Sequence, residues 1–153
     1  MSQILVDSNV LVYAINRPSP KHTLAQKFLQ ENIEKSVLAQ QNILETFRVL
    51  THPKFSSPMN QAEAIEAVMR IADSCEIITP DYKTHEMTLE LVKKYQLRGD
   101  QIYDAYLVAT ALVNDVVEIA TDNTRDFAKF ESIKQVNPFL QKAWSPPLFP
   151  RLP

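Results

Sequence analysis

The chain has 153 residues, of which 45% are hydrophobic and 22% are charged, and its formal net charge is −2. That length suits one compact domain and leaves no room for a second, and the composition is that of a globular protein rather than a disordered one. The slightly negative charge argues against a protein that coats nucleic acid, although it is compatible with an enzyme that contacts a few phosphates.

A single cysteine, Cys75, excludes an intrachain disulfide and a cysteine-rich metal site, so a cytoplasmic location is expected. The first residues, MSQILVDSNVLVYAINR, show no positively charged leader before their apolar stretch. No run of about 18 apolar residues occurs anywhere in the sequence. We therefore expect neither secretion nor a membrane span.

Strand and helix patterns alternate along almost the whole sequence. Short apolar runs bounded by polar residues predict buried strands, and apolar residues at three-and-four spacing predict helices with one buried face. The predicted strands lie at residues 4–6, 36–39, 76–79, 116–120 and 133–136, and the predicted helices at 23–33, 41–50, 60–72, 84–95 and 102–113. This alternation predicts a three-layer α/β/α sandwich around a central, mostly parallel sheet of four or five strands.

We expect a single domain at residues 1–138, followed by a proline-rich tail at 139–153. The end of the sequence reads NPFLQKAWSPPLFPRLP, and closely spaced prolines favour an extended course over regular hydrogen-bonded structure. Trp144, Leu148 and Phe149 are candidate anchors for this tail.

Two acidic residues directly follow predicted strands. Asp7 and Asp122 come after the first and fourth strands, at the edge where parallel α/β sheets bind their ligands. Taken alone, Asp7 could simply cap a turn or a helix, a role that Ser8 could also fill. Asp122 and Asp126, in the segment TDNTRDF, could belong to a capped turn followed by a short helix.

Two further acids lie within predicted helices. The helix at 41–50 should turn Leu44 and Phe47 inward, which leaves Glu45 at the border of the buried face, where it could simply reach water. If Asp100 caps the helix at 102–113, Asp104 lies one turn inside an apolar segment. An unpaired carboxylate buried there would cost several kcal/mol, which a metal ion or a basic partner would remove.

Considered together, these acids indicate a metal site. Clustered carboxylates repel one another unless a cation binds between them, and hard oxygen ligands without histidine or thiolate select Mg²⁺ or Mn²⁺. A metal held in this way suits the hydrolysis of phosphate esters by activated water, with no protein nucleophile.

Other common chemistries lack their signatures. His22, His52 and His85 show no zinc-binding spacing and no evident serine or cysteine partner. With one glycine in the chain, neither GxxxxGK[ST] nor GxGxxG can occur, which disfavours nucleotide-triphosphate and dinucleotide binding.

Four segments resemble the PIN domain, especially its VapC-type toxin branch. They are VDSNVLVYA at 6–14, ILETFRVLT at 43–51, YDAYLVATAL at 103–112 and TDNTRDFAKF at 121–130. The segments occur in the order of the family, and the similarity extends from residue 3 to about residue 138. The first and third segments are the most specific.

The resemblance implies a PIN-like α/β/α nuclease that depends on Mg²⁺ or Mn²⁺ and cleaves single-stranded RNA. It also implies pairing with a cognate antitoxin, and homodimers are common in the family. By the same resemblance, Asp7, Glu45 and Asp104 match the catalytic acids, with Asp7 and Asp104 as the foremost metal ligands. Asn9 matches the polar residue two positions after the first acid.

The fourth acid is ambiguous, because TDNTRDF has one residue more than the T-x-D-x-D-F segment common in the family. Asp122 and Asp126 therefore share that role as catalytic candidates, with Asp122 as a possible ligand. Thr121 and Asn123 are expected to support the site as polar groups. Nearby cations could contact RNA phosphates or could be ordinary solvated charges; these are Arg48, Arg98, Arg125 and Lys129.

Two alternatives stay open. A phosphatase with an aspartyl nucleophile also places Asp after its first strand, but the halo-acid-dehalogenase-like pattern requires a second Asp where this chain has Asn9. A non-catalytic α/β module that binds RNA or protein should be indifferent to Mg²⁺. Within the nuclease hypothesis, a housekeeping RNA-processing enzyme would carry the same acids as a toxin.

Overall fold

The computed structural model describes residues 2–140 and contains a five-stranded, fully parallel sheet. The strands are β1 (Ile4–Val6), β2 (Ser36–Ala39), β3 (Glu76–Ile78), β4 (Glu118–Ala120) and β5 (Lys134–Val136). Their order across the sheet is β3-β2-β1-β4-β5, so the first strand in the chain is the central one. Ile4 pairs with Ser36 on one side and with Glu118 on the other.

Seven helices cover the two faces of the sheet within the described residues. They are α1 (Ser8–Ile15), α2 (His22–Asn32), α3 (Gln40–Thr51), α4 (Gln61–Ala72), α5 (Thr84–Tyr95), α6 (Gln101–Val113) and α7 (Thr124–Phe127). A short 3-10 turn, Ile33–Lys35, leads from α2 into β2.

Adjacent residues of β1 belong to different cores, because side chains alternate between the two faces of a strand. Leu5 packs in a cluster with Val108 of α6 and Phe127 of α7. Val6 packs in a second cluster with Val10 of α1 and with residues of α2. The sheet is therefore covered on both faces, and the predicted three-layer α/β/α architecture is confirmed.

Helix α1 was not among the predicted elements. Its sequence, SNVLVYAI, is apolar at nearly every position after Asn9 and buries Val10, Leu11, Val12 and Ala14. A helix buried on most sides lacks the polar face that makes amphipathic helices recognisable, and eight residues are too few to separate it from a buried strand by pattern.

Two details of the predicted helices are corrected. Leu44 was expected to face inward but is 68% exposed. Asp100 precedes α6 without making a capping hydrogen bond through its side chain. By contrast, the predicted cap at Asn60 is confirmed, since its side chain accepts a hydrogen bond of 2.9 Å from the backbone N–H of Glu63.

The predicted tail begins at the last residues that the structure describes. Phe139 packs edge-on against Tyr13, with ring centroids 5.1 Å apart, so contact with the domain continues to this point. Trp144, Leu148 and Phe149 lie outside the described residues. In the part of the chain from residue 2 to 140, no helix combines the length and the apolarity needed to span a bilayer.

Candidate active site

Asp7 lies at the carboxyl end of the central strand, where three neighbouring strands end together. Its backbone N–H donates to the carbonyl of Ala120 at 2.9 Å, which extends the pairing of β1 with β4 by one residue. Its extended backbone ends the strand, and the next residue starts α1, so Asp7 is also the N-cap of that helix. Asp7 therefore caps α1 and also lies at the edge where parallel α/β sheets bind their ligands.

The Asp7 carboxylate is 8% exposed and accepts hydrogen bonds on both oxygens. The backbone N–H of Ser8 donates at 2.8 Å and Asn42 Nδ2 at 3.4 Å to Oδ1. The hydroxyl of Thr121 donates at 2.8 Å and Asn9 Nδ2 at 3.3 Å to Oδ2. Four donors from three segments of the chain therefore fix the orientation of this carboxylate before any ligand arrives.

Burial raises the pKa of Asp7, while its hydrogen bonds from Thr121 and Ser8 act in the opposite direction. The negative charge of Glu45 adds a smaller upward contribution. A nearby cation would favour the ionised form against this desolvation. Hydrogen-bond donors thus fix the orientation of the Asp7 carboxylate, while its burial disfavours the ionised form.

Asp104 lies in the first turn of α6 and is half-buried. Its pKa is raised to about 6, chiefly by burial and in addition by the negative charges of Asp126 and Asp7, which Lys129 partly offsets. Among residues 2–140 no side-chain hydrogen bond supports this carboxylate. Asp104 is therefore the acid of the site that most lacks a positively charged partner.

Glu45 lies on α3 and forms a two-point ion pair with Arg48, one turn later on the same helix. Arg48 Nε donates to Glu45 Oε2 at 3.1 Å, and Nη2 donates to Oε1. Both side chains remain partly exposed, at 42% for Glu45 and 62% for Arg48.

The structure separates the two candidates for the fourth acid. Asp122 turns away from the other acids, pairing with Lys21 and accepting a hydrogen bond of 3.2 Å from the hydroxyl of Tyr13. Asp126 lies near enough to Asp104 to raise its pKa, and it accepts a hydrogen bond from Asn123. Asp126 is therefore the candidate that the fold brings to the site.

Asp7, Glu45 and Asp104 line one open groove of about 960 Å³ at the carboxyl edge of the sheet, whereas Asp122 and Asp126 are not among its lining residues. Its walls come from the ends of β1 and β2, from α3 and from α6. The charged residues along it are Asp7, Glu45, Asp100, Asp104 and Arg48, and polar and aromatic side chains include Asn9, Asn42, Tyr103, Tyr106 and Asn123. This surface is rich in acceptor oxygens and carries an excess of negative charge.

The donor set of the groove fits a hard divalent cation. Within residues 2–140, no three acidic, histidine or cysteine side chains converge closely enough to enclose an ion by themselves. Mg²⁺ seldom needs such a cage, because it keeps several waters and commonly binds through one or two carboxylates together with substrate phosphates. The residues that would hold it are Asp7 and Asp104, the two acids whose ionised form is disfavoured by burial.

Two residues that organise this site were not predicted from the sequence. Asn42 is buried, donates to Asp7 and also accepts from the backbone N–H of Ala39, which fixes the start of α3. Gln41 Nε2 donates to the backbone carbonyl of Tyr103 at 3.2 Å and so joins α3 to α6. The available signal was their position directly after a strand adjacent to β1, where polar side chains reach the same edge.

The chain is similar to known proteins over most of its length. The PIN domain family matches residues 4–132. The chain is 27% identical over 144 residues to ribonuclease VapC43 of Mycobacterium tuberculosis, covering 88% of this chain and 95% of that protein.

Two solved structures share the fold. DNA-bound VapBC from Salmonella typhimurium superposes with a TM-score of 0.68 at 15% identity, covering 90% of this chain and 99% of that one. VapC20 of Mycobacterium tuberculosis, a toxin that cleaves the sarcin-ricin loop, gives 0.65 at 16% identity, with 86% and 98% covered. The resemblance carried by the four segments is confirmed: the chain belongs to the PIN domain family.

Proposed function

We propose that this protein is an Mg²⁺- or Mn²⁺-dependent endoribonuclease that cuts single-stranded RNA. The observation that carries the proposal is the placement of Asp7, Glu45 and Asp104 along one groove at the carboxyl edge of the sheet. The names of the relatives as ribonucleases support the reaction class.

In this proposal Asp7 and Asp104 hold the ion, Glu45 contributes a further carboxylate, and Asp126 is the fourth acid in preference to Asp122. When bound, the ion neutralises charge on the scissile phosphate and lowers the pKa of water. Thr121 and Asn9 keep the Asp7 oxygens in a fixed orientation through their hydrogen bonds. Asn123, which lines the groove, donates a hydrogen bond to the carboxylate of Asp126.

We further propose that the protein is the toxin of a toxin–antitoxin pair, with a cognate antitoxin as partner, a homodimeric state and a cytoplasmic location. The support is that similar structures are toxin–antitoxin complexes from several bacteria, including Klebsiella pneumoniae and Rickettsia felis. A single domain at 1–138 with a separate proline-rich tail remains part of this proposal.

The test is cleavage of a mixed single-stranded RNA by the purified protein, with and without Mg²⁺ or Mn²⁺, resolved on a gel. We expect metal-dependent cutting that falls at least about 100-fold in Asp104→Asn, because a metal supplies several kcal/mol of charge stabilisation. Glu90→Gln, on the exposed face of α5, is the matched control and should cut like the wild type.

Two experimental results would each indicate a different function for this protein. RNA binding without cutting by folded protein in either metal would favour a non-catalytic module. Release of phosphate from a small phosphomonoester through a covalent aspartyl intermediate would favour the phosphatase. The contacts of Asn9 oppose the phosphatase, because its amide donates to Asp7 and its Oδ1 accepts from the backbone N–H of Asp122.

The two candidate fourth acids should respond differently to substitution. Asp126→Asn is expected to reduce cleavage about 10-fold or more, as the loss of a group that tunes a metal site commonly does. Asp122→Asn should leave cleavage close to wild type, because Asp122 pairs with Lys21 and Tyr13, whereas the charge of Asp126 acts on Asp104. Single-turnover rates at saturating Mn²⁺ compare them. A larger loss for Asp122→Asn would reverse the assignment.

A further inference from the structure

The groove has a charge imbalance that an RNA ligand would meet directly. Four acidic residues line it, at positions 7, 45, 100 and 104. Arg48 is the one cationic side chain along its walls in the described part of the chain. A phosphate entering such a groove is repelled unless positive charge is available, and part of that charge can come from Arg48.

Arg48 is engaged with another group of the site. Its guanidinium contacts both oxygens of Glu45. A carboxylate held in this two-point arrangement presents no oxygen pair to a metal ion, and a guanidinium held there presents its donor fork to the carboxylate instead of to a phosphate. While the pair is formed, Glu45 is therefore not free to bind a metal ion, and Arg48 is not free to bind a phosphate.

The pair is also easy to separate. Both partners are largely in water, with side-chain exposures of 62% and 42%, and exposed ion pairs contribute little to stability. Arg48 is three residues from Glu45 on one helix, so a change of side-chain rotamer is enough to part them, without movement of the backbone.

We propose that Arg48 exchanges partners: it holds Glu45 while the groove is without metal, and it binds a phosphate of the RNA once a divalent ion has taken Glu45. This inference rests on the proposed function and deepens it, because it assigns a substrate-binding residue. It makes metal and RNA binding mutually reinforcing, since each one removes a competitor of the other.

The first arm of the test measures Mn²⁺ binding to RNA-free protein by calorimetry. Arg48→Lys keeps the positive charge but cannot hold a carboxylate at two points, so we expect Mn²⁺ affinity to rise about two- to five-fold, the range of an exposed ion pair. In a Glu45→Gln background the same substitution should have no effect, because the pair is already absent.

The second arm measures binding of a labelled single-stranded RNA by fluorescence anisotropy in Ca²⁺, with a gel confirming that the RNA stays intact. Arg48→Gln should weaken binding and reduce the steepness of its salt dependence by roughly one phosphate contact. The matched control is Arg70→Gln, which removes the arginine of a comparable exposed pair with Glu66 on α4, outside the lining of the groove.

Equal Mn²⁺ affinities for wild type and Arg48→Lys would overturn the exchange, as would a gain that persists in the Glu45→Gln background. Unchanged RNA binding in Arg48→Gln would also overturn it. If the wild type still cuts RNA in metal, only this inference fails. A wild-type protein that neither binds Mn²⁺ nor cuts RNA would overturn the proposed function as well.

Discussion

Replacing Asp104 by Asn is expected to stabilise the metal-free protein while it removes RNA cleavage. Burial raises the pKa of Asp104 from 3.8 to about 6, so the folded state binds this proton more tightly than the unfolded state. Stability contributed by the protonated form is complete below the unfolded pKa and is lost as pH rises through the folded pKa. Near neutral pH the ionised carboxylate therefore opposes folding, and Asn removes that penalty.

Thermal unfolding followed by circular dichroism, with a chelator present, measures this effect. Asp104→Asn should melt at a higher temperature than wild type above pH 6, and the advantage should shrink as pH falls from about 6 towards 3.8. Added Mg²⁺ should raise the melting temperature of the wild type more than that of the variant. A variant that melts below wild type at neutral pH would contradict the assignment of Asp104 as an unpaired acid.

Replacing Asp7 by Asn is expected to have the opposite effect on stability, although it too should remove cleavage. Asp7 also has a raised pKa from burial, but donors meet both of its oxygens, including the N–H of Ser8 and the hydroxyl of Thr121. In an Asn side chain an NH₂ group replaces one of the two carboxylate oxygens, so it faces hydrogen-bond donors in either orientation of the amide. A buried donor without an acceptor costs roughly 1–3 kcal/mol.

Urea unfolding of the metal-free variants at neutral pH separates the two acids. The free energy of unfolding should fall for Asp7→Asn and rise for Asp104→Asn, with the control Glu90→Gln unchanged. The two substitutions are chemically identical, so a difference in sign reports only the surroundings of each carboxylate. Equal gains in both variants would show that desolvation outweighs hydrogen bonding at Asp7 as well.

Much of the fold was predictable, because the strands are short apolar runs with polar residues on either side. The strand at residues 4–6 is confirmed at both ends, and the helix at 84–95 likewise. The helix has apolar residues at a spacing of four, and the strand is a short β-branched run bounded by polar residues. The acids at the ends of such elements then follow from topology, since the carboxyl ends of parallel strands share one edge.

The unpredicted features depend on contacts between distant parts of the chain. Leu44 was expected to be buried from its apolar character, but it is 68% exposed on the wall of a groove that distant parts of the chain form together. The pairing of Asp122 with Lys21 joins residues 101 positions apart, so the local segment TDNTRDF could not reveal which acid turns towards the site. Local pattern fixes the period of an element, and tertiary packing selects its inward face.

Because β1 is the central strand, its pairing depends on residues that are synthesised late. β1 precedes the other strands in the chain, yet its neighbour β4 begins at Glu118. A chain that is still emerging from the ribosome therefore has β1 hydrogen-bonded on one side at most until nearly 120 residues have left the exit tunnel. Asp7, which directly follows β1, can therefore reach its final surroundings beside Ala120 and Thr121 only after most of the described chain has emerged.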